Sequence, residues 1–455
     1  MLMNRSWASK AAISWLNQVI NERYGIQFFL FLNKNKFIQL KLPGSPQKIT
    51  FTNHFDGFNN SESNLPISHW NPEIEGWRSA LGKPIPAPGL SSLPLDLIEV
   101  CKDGYTINYD LLGFTYWMLS RAEEVNRTDL DQYGRFPAKS SHAYRNNYLD
   151  RPIVDEWLYI LGQVIIATWP DLVLKKNQYR ISISHDVDEA SRYGFRSTSR
   201  LLKAMAGDLL IRKDIKSALR GPLIRLSSNE DIHRLDSANT YDYLMDLSEK
   251  AGTTSTFFFI CGRTDKKMDA DYDIEHSAIR NLFKKIHNRG HEIGIHPSFN
   301  TYLSKEMLKK EFARLMRIIK EEEIHQNIWG SRMHFLRIRI ESTLRSLAEA
   351  GINYDSTLTY PEQPGFRCGT CYEYPAFDPL NDETINIRIL PLIAMDASII
   401  APDYLNLGLG INALSKFQEL KNTCRDVDGI FTLLWHNNRL KDPREIKLYE
   451  EIILS

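Results

Sequence analysis

Four short segments of this chain carry residue types able to hydrolyse an acyl bond. They are Ser184-His185-Asp186-Val187-Asp188, His296-Pro297-Ser298-Phe299-Asn300, Ser331-Arg332-Met333-His334 and Leu434-Trp435-His436-Asn437. Each follows a short β-rich run. Two carboxylates, two histidines and an arginine gathered in one place could hold a divalent ion, activate water and move protons. Singly, each segment has a plainer reading: an Asp-x-Asp after a strand is commonly a turn or helix cap, and a lone histidine at a strand end is commonly structural. Their recurrence on strand after strand is what favours a site.

The elements that must position these residues are legible from Tyr179 onward. β-Rich runs occur at 180–184, 254–260, 292–296, 327–331, 352–356, 386–392 and 429–435. Between them lie helical patterns. Ile279, Leu282, Phe283 and Ile286 fall at i, i+3, i+4 and i+7 ahead of Gly290; a second pattern runs from a Ser304 N-cap to about Glu322; a third spans 341–350 and stops at Gly351. Strands alternating with helices predict an α/β fold of parallel strands and crossover helices. Seven strands suit a closed or nearly closed β/α barrel, with an open doubly wound sheet as the alternative. In a parallel barrel the loops after the strands form one mouth, where the four segments would meet. Residues 1 to about 175 are different: aromatic, turn-rich, with helical patterns at 8–23, 110–124 and 153–168 and no catalytic constellation. The expected organisation is a mixed α+β accessory domain over 1–175 and a catalytic domain over 176–455, with an insertion at 190–238.

Composition bounds the function. The 455 residues suggest two to three domains, and 43% hydrophobic with 25% charged residues excludes a disordered chain, a collagen-like repeat and a membrane bundle. With 56 basic and 56 acidic residues there is no global footprint for nucleic acid. Five cysteines, an odd number in a long chain, fit a reducing compartment. The N-terminal stretch lacks the continuous apolar core of a signal peptide, and no run of eighteen apolar residues predicts a transmembrane helix. The expectation is a soluble cytoplasmic protein.

The second half resembles the polysaccharide deacetylase, or NodB-homology, family. Asp186 and Asp188 stand where that family's first motif has its base and metal-binding aspartates. Gly290-His291-Glu292-Ile293-Gly294-Ile295-His296 matches the lead-in to the second motif, Ser331-Arg332-Met333-His334-Phe335 the third, and Leu434-Trp435-His436 the last. The four occur in order over roughly 179–438, and relatives with HDVD and HPS motifs plus a long N-terminal extension are similar to the whole chain. The resemblance implies a distorted (β/α)7 barrel and metal-dependent removal of acetyl groups from a carbohydrate. It implies Asp186 as base, Arg332 holding it, His436 as acid, and Asp188 and His296 as ligands of a divalent metal, zinc first among the candidates. The family's second motif ends in a histidine where this chain has Asn300, a poorer, harder ligand. Either Asn300 or His185 completes the site weakly, or another metal binds, or metal and activity are lost. The last case makes the protein a glycan-binding or scaffold relative in polysaccharide biosynthesis; a C–N hydrolase acting on a non-sugar amide is a third reading.

Three further signals complete the reading. Between Ala190 and Arg225 nine basic residues face only Asp208 and Asp214, and Arg192, Arg196 and Arg200 at i, i+4 and i+8 suggest one helical face. This insertion is either a solvated excursion or a lid that meets anionic lipid or a phosphate- or lipid-linked sugar carrier at the inner face of the membrane. Cys368-Gly369-Thr370-Cys371 reads as two ordinary cysteines in a turn. Arg367 and Trp435 are the candidate substrate contacts.

Overall fold

The computed structural model describes residues 6–34, 36–53, 57–59, 63–211 and 213–455; His54, Asp56 and Arg212 lie outside these. The chain divides into two compact units. One comprises Met1–Arg180, Leu358–Ile393 and Glu419–Phe431, the other Ile181–Thr357, Ala394–Gln418 and Thr432–Ser455. A single boundary near residue 175 therefore does not describe the chain, because two later segments return to the first unit.

In the first unit a five-stranded sheet has the order Phe29–Leu32, Ile38–Lys41, Lys48–Phe51, Gly104–Ile107, Ile98–Cys101. Neighbours are antiparallel except Lys48–Phe51 and Gly104–Ile107, which are parallel. Helices Lys10–Tyr24, Leu111–Leu119 and Ile153–Thr168 occupy the three expected windows. Trp157 anchors this core: its ring stacks on Trp70 at 5.5 Å, lies 4.5 Å from Tyr109, and its indole N–H donates to the Pro86 carbonyl at 2.9 Å.

The second unit is α/β. Its strands are β1 (Arg180–Val187), β2 (Ser255–Phe259), β3 (Glu292–Ile295), β4 (Gly330–Ser331), β5 (Tyr354–Asp355), β6 (Ala394–Met395) and β7 (Ile430–Leu434). Their order is β5-β4-β3-β2-β1-β7-β6. Consecutive pairs from β1 to β5 are parallel, as are β6 and β7. These seven belong to a nine-stranded sheet with β6 at one end. The insertion forms helices α1 (Thr198–Leu210) and α2 (Ile215–Ser227); the crossovers are α3 (Tyr241–Lys250), α4 (Ser277–Asn288), α5 (Lys305–Glu321) and α6 (Thr343–Ala350). Ile279, Leu282, Phe283 and Ile286 are buried on α4, and the Ser304 hydroxyl caps α5 by accepting from Met307 N–H.

Two expectations are refined. The run 386–392 falls on Glu383–Ile389, a strand of the nine-stranded sheet that pairs antiparallel with Tyr374–Asp378. Its Ile385, Ile387 and Ile389 are buried while Thr384 and Asn386 are exposed, the alternation of a half-covered antiparallel strand. The parallel strand absent from the expectation is the two-residue β6, too short for a periodic signal. Similarly, α1 starts at Thr198, so Arg192 and Arg196 precede the helix and no single helical face carries the three arginines.

Register is what aims the site. Val187 aligns with Phe259, Phe259 with Ile295, Ile295 with Ser331 and Ser331 with Asp355. The next residues on these strands, Asp188, His296, Arg332 and Ser356, therefore leave the sheet along one edge. Gly294 is required in this row, since a Cβ there would lie 2.4 Å from the Phe258 ring. Replacing Trp157 by alanine is expected to cost the first unit about 3–5 kcal/mol, as for other large core truncations; a urea denaturation midpoint within error of wild type would contradict its anchoring role.

Candidate active site

At the edge of the sheet, Asp186 (3% exposed) is gripped by Arg332 (1% exposed), whose Nη1 donates to Asp186 Oδ1 at 2.9 Å and to Ser184 Oγ at 2.8 Å. The remaining guanidinium nitrogens donate to Ser356, Nε to its carbonyl and Nη2 to its hydroxyl, both at 3.0 Å. The plane lies 4.7 Å above the Phe258 ring. A buried cation is tolerated only when so fully hydrogen bonded, and the result is an aspartate with one oxygen fixed and one directed at the site.

Next to it, Asp188, His296 and His334 converge. Asp188 Oδ1 lies 3.3 Å from His296 Nε2 and 3.6 Å from His334 Nε2, and one donor atom from each residue falls within 4.8 Å of the others. Both imidazoles are oriented from behind. His296 Nδ1–H donates to the Arg332 carbonyl at 2.5 Å, and His334 Nδ1–H to Asp269 Oδ1 at 3.0 Å. With the protons on Nδ1, the Nε2 lone pairs face Asp188, whose buried Oδ1 has no hydrogen-bond partner. Three electron-pair donors facing one point, with outer groups fixing the tautomers, fit a divalent cation. The electrostatics agree. Burial opposes the charged form of Asp188, yet the three neighbouring histidines hold its carboxyl below the usual range. Burial likewise lowers His296, but Asp186 and Asp188 overcome it and raise the imidazole above its ordinary value. The pocket favours positive charge, which a proton on an imidazole or a metal ion would each supply. Two histidines and an aspartate form a donor set suited to zinc.

His436 faces the cluster from β7. Its Nε2 is 3.7 Å from Asp188 Oδ2, its Nδ1–H donates to Asp396 Oδ1 at 2.7 Å, and its backbone N–H donates to Asp396 Oδ2 at 2.9 Å. Burial would depress this imidazole, but the enclosed Asp396 carboxylate outweighs it and raises it to about 9. On the other side, Asp186 Oδ2 is 3.7 Å from His296 Nε2. Asp186 and His436 thus flank one set of side chains that could hold a metal ion.

Of the residues expected from sequence, Asp186, Asp188, His296, Arg332 and His436 come together. Asn300 does not join them as a ligand. Its carboxamide donates to the Thr264 carbonyl at 3.4 Å and accepts from Arg337 Nη1 at 3.3 Å, and His334 supplies the third donor instead. His185 is no substitute: fully buried, it donates from Nδ1 to the Trp435 carbonyl at 2.7 Å and accepts at Nε2 from Ser255 Oγ at 3.3 Å. Arg367 is corrected as a substrate contact. It is 2% exposed in the core of the first unit, with Nη2 2.5 Å and Nε 2.9 Å from the Glu124 carboxylate. Trp435 is corrected likewise, being fully buried with its ring 5.8 Å from Phe417 and 4.9 Å from Tyr449. Cys368 and Cys371 are buried free thiols pushed up by burial, the opposite of a reactive pair. Sequence reasoning missed His334, Asp269 and Asp396. His334 stands two residues after Arg332, and the only signal was that proximity. It is followed by Phe335 and Leu336 at φ 59° and 56°, a left-handed turn that swings the chain out after the ligand.

A family of unknown function (DUF7033) matches residues 5–170. No curated protein matches the chain. Among solved structures, a Mycobacterium smegmatis protein named as a polysaccharide deacetylase is 19% identical with a TM-score of 0.38, covering 63% of this chain and 84% of its own. A Pseudomonas aeruginosa PAO1 protein named likewise is 14% identical with a TM-score of 0.36, covering 61% and 84%. Puue allantoinase is 13% identical with a TM-score of 0.37, covering 72% and 91%. At these values the likenesses leave the reading of the site to its own residues.

Two outcomes test this geometry. Elemental analysis of the purified protein should find about one divalent ion per chain; His334→Ala should weaken its binding tenfold or more, and Asn300→Ala should leave it unchanged. The reverse pattern would restore Asn300 as the ligand. His185 generates a pH effect, because burial lowers its imidazole to about 4. Between pH 6.5 and 4 the unfolded chain binds a proton that the folded chain refuses. Stability from this group is full above pH 6.5 and is lost as pH falls, by up to about 3 kcal/mol. Denaturation of His185→Gln should show a correspondingly shallower slope over that window; parallel slopes would exclude His185 as the source.

Proposed function

We propose that the second unit is a metal-dependent hydrolase of the polysaccharide deacetylase kind, removing an acetyl group from an N-acetylated sugar. The observation that carries this reading is the placement of Asp186 and His436, each 3.7 Å from a member of the Asp188–His296–His334 cluster and each held by a buried partner. Amide hydrolysis asks for such a pair, since water must lose a proton and the poor amine leaving group must gain one. A divalent ion held by Asp188, His296 and His334, zinc by the character of the donors, supplies Lewis acidity toward an acyl carbonyl and acidifies water. Asp186, oriented by Arg332, takes the proton from water. His436 delivers its Nε2 proton to the sugar nitrogen while Asp396 holds Nδ1–H, fixing the ring and favouring its charged form.

The carbohydrate substrate is supported by the order of the HDVD, GHEIGIH, SRMHF and LWH motifs along the chain. The same reading takes strands β1 to β7 as part of the wall of a distorted (β/α)7 barrel. It extends to a cytoplasmic protein acting on a sugar carried by a phosphate or lipid anchor. His334, by filling the place that Asn300 leaves, favours an active enzyme over an inactive scaffold.

Acetate release from N-acetylated sugars, measured on the zinc-loaded chain, tests the proposal. Chelation should abolish it, and Asp186→Asn and His436→Ala should each lower kcat by about 10²–10⁴-fold. Unchanged turnover in Asp186→Asn would sink the mechanism. Faster turnover of simple non-sugar acetamides would sink the substrate class.

A further inference from the structure

The insertion helices α1 and α2 pack on each other through a thin inner face and leave an apolar outer one. Leu201, Ala204 and Ile224 are buried with Tyr193. Outward, Leu202 is 60% exposed, Leu210 74%, Ile211 81%, Ile215 56%, Leu219 76% and Leu226 76%. On α2, Ile215, Leu219 and Leu226 fall at i, i+4 and i+11, one stripe of the helix, and Lys216 and Arg220 fall beside it. Isolated exposed leucines are ordinary, but a concentration of this kind within two adjoining helices marks an interaction surface.

Its charges are sorted as well. The acidic residues of the hairpin are engaged. Asp208 accepts from Arg192 at 2.7 Å and from Tyr193 Oη at 2.5 Å, and Asp214 caps α2 through Ser217 N–H. Arg196 and Arg200 are tied to Asp271 after β2. Among the described residues Lys203, Lys213, Lys216 and Arg220 make no ion pair and are exposed beside the aliphatic face. Neutralised within and basic without, the hairpin complements an anionic surface that also accepts apolar side chains. The described helices include none long and apolar enough to cross a membrane. A cavity of about 840 Å³ is lined both by the ligand residue Asp188 and by Lys203, Leu210 and Ile211 of the hairpin.

We propose that the α1–α2 hairpin docks the protein onto the surface of an anionic phospholipid bilayer, its aliphatic face lying in the interface and Lys203, Lys213, Lys216 and Arg220 among the headgroups. The cavity containing Asp188 then opens at the lipid surface. Taken together with the deacetylase reading, on which this last step rests, the substrate is a membrane-borne sugar.

Vesicle co-sedimentation of the full chain tests the docking. Vesicles of phosphatidylcholine with about 30% phosphatidylglycerol should bind at least tenfold more tightly than phosphatidylcholine alone, with the difference shrinking at high salt. Lys216→Glu/Arg220→Glu and, separately, Leu219→Ser/Leu226→Ser should each lower binding tenfold or more without moving the thermal midpoint, since all four side chains are exposed. Asp188→Asn should bind vesicles as wild type does, which separates failure of the docking from failure of the catalytic reading. Equal binding to neutral and anionic vesicles, or none to either, overturns the proposal. So does a concentration-dependent dimer that Leu219→Ser/Leu226→Ser dissolves, which would assign the face to a second copy of the chain.

Discussion

A guanidinium sealed from solvent keeps its charge, so everything around Arg332 has to satisfy it. It is bound by Ser184 and Asp186 from β1 and by Ser356 beyond β5, and rests on the Phe258 ring from β2. One buried cation thus pins together strands that are not neighbours. Removing its carboxylate partner Asp186 leaves an uncompensated charge in a low-dielectric interior, a cost on the order of 3–5 kcal/mol. The Arg332 carbonyl meanwhile accepts from His296 Nδ1–H. The residue that orients the proposed base therefore also orients one of the proposed metal ligands, and the two cannot be placed independently.

The same device recurs around the site. Asp269 fixes His334, Asp396 fixes His436, and each aspartate is itself held by backbone N–H groups or a cation. Burial raises the cost of every one of these charges, and each is offset by a specific partner. The histidines consequently present defined nitrogens to Asp188, and the site is preorganised before any ligand arrives.

Electrostatic neutrality of the whole chain conceals this sorting. The 56 basic and 56 acidic residues balance, yet the site gathers four aspartates, Asp186, Asp188, Asp269 and Asp396, each set against an arginine or a histidine. The insertion hairpin likewise keeps its acids paired, and shows its lysines to solvent. Long-range attraction follows the local excess, not the sum.

Much of the arrangement was readable from residue order. The helical spacing of Ile279 to Ile286, the Ser304 cap and the β-rich runs at 180–184, 254–260 and 292–296 each became the expected element, because amphipathic period and capping are local properties. Asp186, Asp188, His296, Arg332 and His436 were identifiable because each stands at or just beyond the end of a strand. What local pattern could not convey was partnership. β6 is two residues long, so neither it nor Asp396 beyond it had a signal. Arg367 and Trp435 look like substrate contacts until their burial is known. By itself, then, the sequence determined which residues would stand at the ends of strands, since strand period is short-range, while the register that brings those ends to one edge joins residues dozens of positions apart. Only the tertiary structure decided that His334 rather than Asn300 completes the cluster. That choice depends on which side chains Arg337 and Asp269 have already claimed, and those neighbours lie dozens of residues away.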